Sequence, residues 1–417
     1  MLDLVHRPGA RTGLWILGAL GDIATTLIVG GLAIRRGLRP PTGMVTALPP
    51  FNALPLTRLD DLVIGGLDIR DGSVSAIARQ VGASSGTFDA TLLDALAKDL
   101  AAVDANLVAA PPLAWDAQAP EQARPALSDV VAELRTRIAA FRTRHRLDHV
   151  VVVNLVSAEP EPPALPTTAA LAALEAAIAQ DRRDQVTPSM CSAYACLQES
   201  CSFINFTPNA YATCPALQQL AQRMRVPIAG NDGKTGETLV KTALAPMFAA
   251  RNLRVLSWEG FNMLGNGDGA TLENPANRAS KIRNKSGVLS QMLGYEPHAG
   301  VHINYVPSLG DWKTAWDLIH FEGFLGVRMS MQFTWQGCDS ILAAPLVLDM
   351  ARLADFAFRQ NEYGPMAHLA CFFKNPLDVE EMALAPQFEM LVAYAADHLE
   401  RIGRCDPIRD HTTTQAG

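Results

Sequence analysis

The sequence predicts an α/β fold, with a parallel α/β domain over residues 1–230, an α+β insertion over 231–335 and a return to the first domain over 336–417. Three observations point there. Up to residue 230, short apolar runs of strand length alternate with segments of helical periodicity, the order that builds a parallel sheet. Beyond it, "GVHINYV" and "RMSMQFTWQ" alternate apolar and polar residues, as half-exposed antiparallel strands do. At 417 residues the chain is also long for one hydrophobic core, so two domains are expected.

The first unit is "GLWILGA", a strand, followed by "DIATTLIVGGLAIRRGL", a helix with Asp22 near its start. The turn between them carries Gly18, Gly21 and Ala24, a G-x-x-G-x-x-A form of the dinucleotide fingerprint. Glycines there let backbone approach a pyrophosphate, which the free N–H groups of the helix start then hold. A tight strand-to-helix turn that binds nothing explains the same residues. Arg7 and Arg11 ahead of this apolar stretch also resemble a signal peptide or a membrane span. Asp22 in its middle, five glycines and the lack of a second candidate span argue against both. A cytoplasmic protein is expected.

After a Pro-rich connection, "DLVIGGLDIRD" is a second strand ending in Gly65, Gly66 and Asp68. An acidic ribose ligand usually follows the glycines by about 20 residues, so Asp68 implies an insertion before this strand. "DHVVVVNLVSAEP" is a third buried strand, delivering Asn154 and Ser157 to the edge where ligands of open α/β sheets collect. "ATLLDALAKDLAAV", "LSDVVAELRTRIAAFRTRH" and "PALQQLAQRM" read as helices, and "VPIAG" as a further strand. In the insertion, Met329, Met331, Phe333 and Trp335 share one strand face, which needs a cover: a second copy or a helix of the same chain. "DSILAAPLVLDMARLADFAF" is apolar nearly all round and predicts a buried helix.

Hydrophobic residues make up 49% and charged ones 18%, the balance of a well-buried globular protein. A net charge of −7 excludes a nucleic-acid surface but leaves anionic small ligands, which need only local positive charge. Seven cysteines, an odd number, are no disulfide scaffold. Cys191, Cys196, Cys201 and Cys214 cluster, but the C-x4-C-x4-C spacing fits no common zinc pattern, and buried small residues beside a strand explain it better.

Lysine usage is uneven. Against 28 arginines there are seven lysines; Lys98 lies in an ordinary amphipathic helix and the other six follow residue 230. Lysine pKa values can be lowered into a working range whereas arginine stays charged, so catalysis is one reason for the switch, and chance scatter is the other. "GNDGKTGETLVK" sits between an apolar strand and a helix but lacks the first glycine of a Walker A loop, Ile228 standing there. Lys281 and Lys285, four apart in "NRASKIRNKSGVL", share one face if helical.

Together with "NMLGNGDGATL", "YVPSLGDWKTAWD" and "GCDSILAAPLVLD", these segments resemble the successive signature blocks of the inositol-3-phosphate synthase (myo-inositol-1-phosphate synthase) family. So do "LGALGDIATT", "GGLDIRD" and "VVVNLVSAEP" in the first half. The resemblance runs in order over nearly the whole chain. It implies a Rossmann-like, dinucleotide-binding domain interrupted by an α+β catalytic and tetramerisation domain, a homotetramer, and no membrane or nucleic-acid partner. It also implies NAD as cofactor, with Gly18, Gly21, Ala24, Asp68, Asn154, Asn231, Asp232, Asp339 and Ser340 on the cofactor side. A monovalent or divalent cation is left open.

The implied reaction converts D-glucose 6-phosphate to 1L-myo-inositol 1-phosphate on one NAD. Oxidation at C5 acidifies C6, the C6 enolate closes on the C1 aldehyde, and C5 is reduced again. By resemblance, Thr235, Gly236, Glu237 and Thr238 cradle the phosphate, with Lys241 as a further partner or a solvated helix lysine. Glu237 replaces a frequent glutamine, so its carboxylate is expected to point away or to pair with a lysine. Lys281 and Lys285 match the lysine pair for proton transfer and alkoxide stabilisation, and Asp268, with Asp339, matches the cofactor-side carboxylates that orient lysines or a cation. Asn304 and, more loosely, Pro386 stand where relatives carry lysines; Lys313 or Lys374 is the expected substitute, unless they are rim and loop lysines. Those departures keep two alternatives in play: a cyclase for another sugar phosphate, and a non-catalytic protein that binds NAD and sugar phosphate.

Overall fold

Strand β1 (Thr12–Leu17) is buried at all six positions, and a strand buried on both faces belongs inside a parallel sheet. The computed structural model describes residues 10–111, 124–159, 168–265 and 289–405. Beside β1 lie β2 (Leu62–Asp68), β3 (Leu107–Ala109), β4 (His149–Asn154), β5 (Ser202–Asn205), β6 (Pro227–Ala229) and, from the C-terminal part, β11 (Gly364–Pro365). Among the described residues these seven form one sheet, parallel throughout, in the order β11-β6-β5-β4-β1-β2-β3.

Helices cover both faces, and the period-2 alternation of the strands decides which residue meets which layer. Leu14, Ile16, Val151 and Val153 pack on α1 (Asp22–Arg35), α2 (Val74–Ser85) and the C-terminal helices α10 (Asp339–Arg359) and α11 (Leu384–Cys405). Trp15, Leu17, Val150 and Val152 pack on α5 (Leu127–His145), α6 (Leu171–Ala179), α7 (Pro188–Gln198) and α8 (Pro215–Met224). Local signals set these helices. Ser73 caps α2 by accepting from the Ala76 N–H, while Pro188 and Pro215 open α7 and α8, where no N–H is needed. Cys191, Cys196, Cys201 and Cys214 are free and buried in the second layer, and burial pushes the Cys191 and Cys201 thiols up to about 12. No described helix is long and apolar enough to cross a membrane.

A second sheet holds β7 (Arg254–Leu264), β8 (His298–Tyr305), β9 (Trp312–Glu322) and β10 (Arg328–Cys338) in the order β10-β9-β7-β8. One face is covered from within the chain by α9 (Gly236–Ala250): Ala245 and Phe248 pack with Trp258 and Ile319, and Met331 and Phe333 join them. Met329 stays exposed. On the other face Phe261 and Trp316 are register partners in adjacent strands, their rings 5.4 Å apart, and both are only half-buried.

Two sequence expectations need correction. β8 pairs with β7 in parallel, not antiparallel, and β9 takes the antiparallel place on the other side of β7. Alternation reports half-burial, not strand direction. The helix expected over "ATLLDALAKDLAAV" is two, α3 (Ala90–Ala95) and α4 (Ala97–Asp104), and the chain bends at Leu96, which is fully buried.

At the N-terminal edge of the first sheet, one carboxylate ties four segments together. Asp355 of α10 accepts from Thr12 (2.9 Å), the His149 ring (3.1 Å), Arg359 (2.9 Å) and Thr57. His149 in turn meets Ser202 at 3.0 Å, but none of this Ser–His–Asp chain reaches solvent, so it holds strands together and does no chemistry. Burial alone would raise the Asp355 pKa; His149, Arg359 and Thr57 hold it well below the carboxylate range. Asp355→Ala leaves the part-buried Arg359 and the buried Thr12, Thr57 and His149 donors without their acceptor and should cost about 3–5 kcal/mol in urea unfolding at neutral pH. Since the folded pKa is depressed, this contribution is full above about pH 4 and disappears as the pH falls further, so wild type and variant should converge in acid.

Candidate active site

Three helices that start near the C-terminal edge of the first sheet, α1 behind Gly21, α9 behind Thr235 and α10 behind Cys338, have no cap from the side chain at their N-cap position and share a further feature. Uncapped first-turn N–H groups carry partial positive charge and accept anions. All three starts open on one cavity of about 870 Å³, lined there by Gly21 and Asp22, Thr235 and Thr238, and Asp339 and Ser340.

At one end of the cavity, Gly18, Ala24, Asp68 and Asn154 join Gly21 in the wall. Gly18 has φ +83°, and a Cβ there would stand 3.1 Å from the Leu155 carbonyl oxygen, so backbone alone fits this turn. Asp68 accepts the Leu20 N–H at 2.8 Å, which locks the end of β2 to the glycine turn. Burial favours its neutral form, but Arg70 and the amide donors win and keep the carboxyl below its ordinary range. Asn154 donates to Asn205 at 3.1 Å. Burial, with Asp311 nearby, pushes the Asp22 carboxyl up, against the pull of Arg70. The uncapped turn, a glycine that admits no side chain and a carboxylate at the end of β2 together fit a dinucleotide.

At the other end stand Asp232, Thr235, Glu237, Thr238, Lys313 and Lys374. Lys374 donates to Asp232 Oδ1 at 2.7 Å, while the buried Asp232 Oδ2 has no hydrogen-bond partner among the described residues. Lys313 Nζ is 3.9 Å from Asp339 Oδ1, and a Cβ on Gly236 would lie 3.1 Å from that ammonium. The lysine therefore stands over the first turn of α9. Ser340 accepts from Thr26 at 3.0 Å and donates to Asp311.

Two residues sit elsewhere than the resemblance suggested, and a further lysine of the same segment also turns away from the cavity. Asn231 does not line the cavity; its Oδ1 accepts from Asn205 (2.7 Å) and Thr213 (2.6 Å) and fixes the loop behind the wall. Lys241 is buried beneath the wall with its Nζ 2.5 Å from Glu237 Oε1, and Asn262 donates to Glu237 Oε2 at 2.6 Å. Lys241 thus neutralises the carboxylate that stands in for glutamine instead of reaching a phosphate. Lys234 turns away to Gln387, and burial lowers its pKa to about 8.

The two lysine departures also fall outside the cavity. Asn304 is exposed on the face of β8 opposite Ile303, and it is Ile303 that lines the wall; Pro386 is exposed as well. Asp268, Lys281 and Lys285 lie outside the described residues; Leu264, at the end of β7, lines the cavity. Among the described residues no group of three or more His, Cys, Asp or Glu side chains is placed to hold a metal ion. Sequence reasoning did not single out Glu159 or Asp311. Glu159 lines the wall, accepts from Ser189 at 2.7 Å, and is pushed up to about 7 by burial. Asp311, two residues before Lys313 in "GDWK", was within reach of the motif; Glu159, in a Pro-rich loop, had no local signal.

Comparisons agree with this architecture. The family model described as myo-inositol-1-phosphate synthase, an NAD-binding family, matches residues 12–395. Inositol-3-phosphate synthase 1 of Bacteroides thetaiotaomicron is 34% identical over 395 residues, covering 88% of this chain and 90% of that one. The human inositol-3-phosphate synthase 1 is 28% identical, covering 88% and 74%. The crystal structure of inositol-3-phosphate synthase from Caenorhabditis elegans superposes with a TM-score of 0.81 at 25% identity, covering 93% of this chain and 85% of that one. With a match that runs from the first strand into the last helix, the chain belongs to the myo-inositol-1-phosphate synthase family.

Proposed function

We propose that the chain is a cytoplasmic, NAD-dependent inositol-3-phosphate synthase that converts D-glucose 6-phosphate to 1L-myo-inositol 1-phosphate. The observation that supports this reading is the pair of uncapped helix starts, α1 and α9, opening on one cavity that Lys313 and Lys374 also line. One start suits a pyrophosphate and the other a sugar phosphate.

NAD, when bound, supplies the hydride acceptor and donor, so the reaction has no net redox change. We assign Gly18, Gly21 and Ala24 to the pyrophosphate turn, Asp68 to the adenosine ribose, and Asn154, Asp232, Asp339 and Ser340 to the cofactor wall. Thr235, Gly236 and Thr238 hold the substrate phosphate through the first turn of α9, with Lys313 above them to offset its charge. Lys374, held by Asp232, moves the C5 hydroxyl proton. We assign Lys281 and Lys285 to moving the C6 proton and stabilising the C1 alkoxide as the ring closes, and Asp268 to orienting the groups that do so. The case for a non-catalytic relative rested on Asn304 and Pro386, and both side chains lie outside the cavity.

We assign residues 1–230 and 336–417 to NAD binding and 231–335 to catalysis and tetramerisation. Supporting the last role, Phe261 and Trp316 are half-buried on the sheet face away from α9, and Phe324 and Leu325 are exposed at the β9–β10 hairpin tip. Light scattering at micromolar concentration should find four copies; a monomer ends this part of the reading.

Gly18→Val should lose NAD affinity in calorimetry while keeping its far-ultraviolet circular dichroism, because both φ and the Leu155 backbone oppose a side chain. With glucose 6-phosphate and catalytic NAD, cyclitol phosphate should accumulate without NADH. Lys281→Met and Lys285→Met should each lose about a hundredfold or more in turnover with NAD binding retained. Asn304→Lys should stay within about twofold of wild type, as surface changes remote from a site do. No cyclitol product from wild type overturns the proposal.

A further inference from the structure

Asp68 ends β2, the place from which a carboxylate in this fold class meets the ribose hydroxyls of the adenosine half. In this chain its oxygens are already engaged. Arg70 donates its backbone N–H (2.9 Å) and Nε (3.1 Å) to Asp68 Oδ1, and Nη2 to Oδ2 (3.2 Å). The carboxylate is 5% exposed and the Arg70 side chain 53%, so the acid lies beneath and the guanidinium faces the cavity that both line. Arg70 also reaches the glycine turn, since a Cβ on Gly21 would stand 3.9 Å from Nη2. Its Nη1 donates to no described residue.

A lone carboxylate at this position repels a ribose 2′-phosphate, whereas an arginine nearby accommodates one. Here the two are joined two residues apart, their charges cancel, and the exposed member is the cation. Guanidinium forks pair with phosphate oxygens in two parallel hydrogen bonds, and an arginine cannot lose its charge to avoid the task. We propose that Arg70 sets dinucleotide specificity: it screens Asp68 and presents its guanidinium to a ribose 2′-phosphate, so that the adenosine end accepts NADP as well as NAD. This rests on reading the cavity as the NAD site. NAD remains a ligand, because a neutral 2′-hydroxyl can accept from the exposed Arg70 guanidinium where a 2′-phosphate would.

The test is calorimetric titration of the full chain with NAD and with NADP, for wild type, Arg70→Ala and Arg70→Lys. In wild type the two dissociation constants should lie within about tenfold of each other. Arg70→Ala should weaken NADP by about tenfold or more and move NAD by less than about threefold, widening the ratio; Arg70→Lys, which keeps the charge, should restore most of it. The inference is overturned if wild type binds NAD but NADP about a thousandfold more weakly, or if Arg70→Ala leaves the ratio unchanged. Failure of both dinucleotides to bind wild type, or normal NAD binding by Gly18→Val, instead removes the cofactor site itself and this inference with it.

Discussion

A helix that starts without a cap leaves N–H groups that only water or an anion can satisfy, and here three such starts face one space. Everything else in the cavity answers to that concentration of positive potential. Asp22, Asp232 and Asp339 bring carboxylates into it, and Lys313 and Lys374 partner the last two. The result is a wall in which charges of both signs are held close and largely out of water.

Bringing the third helix start to that space is the task of α10. At 21 residues it is about 30 Å long, enough to run the depth of the sheet from the cavity to the opposite edge. Its first turn offers Asp339 and Ser340 to the cavity; four turns later Asp355 is bound to β1, β4 and the Pro-rich connection. Packing of α10 against α1 fills the length between, with Leu348 against Gly31. The stability of one edge and the placement of ligand groups at the other therefore depend on the same rigid rod.

Much of this was legible in the sequence wherever the signal was local. The strand at Thr12–Leu17 and the helices at Leu127–His145 and Pro215–Met224 follow from apolar runs, 3.6-residue periodicity and proline at a helix start. The short strands β3 and β5, of three and four residues, were not read as strands. In the cavity, the Gly18 turn could be read from spacing alone, and a lysine partner for Glu237 was foreseeable four residues along the helix. The Lys374–Asp232 bond could not, since its partners are 142 residues apart and meet only through β11 and the segment after it. Asn304 shows the reverse error: a missing lysine looked like lost chemistry until the strand's alternation turned it outward.

The buried Glu237–Lys241 pair couples two positions one helical turn apart. Taking away the lysine alone would leave a buried carboxylate without its cation beside the cavity, and taking away the glutamate alone would leave a buried ammonium without its anion. Either single change should therefore cost more than replacing both by a neutral pair of similar volume. The two positions behave as one unit: neither can be altered for its own sake.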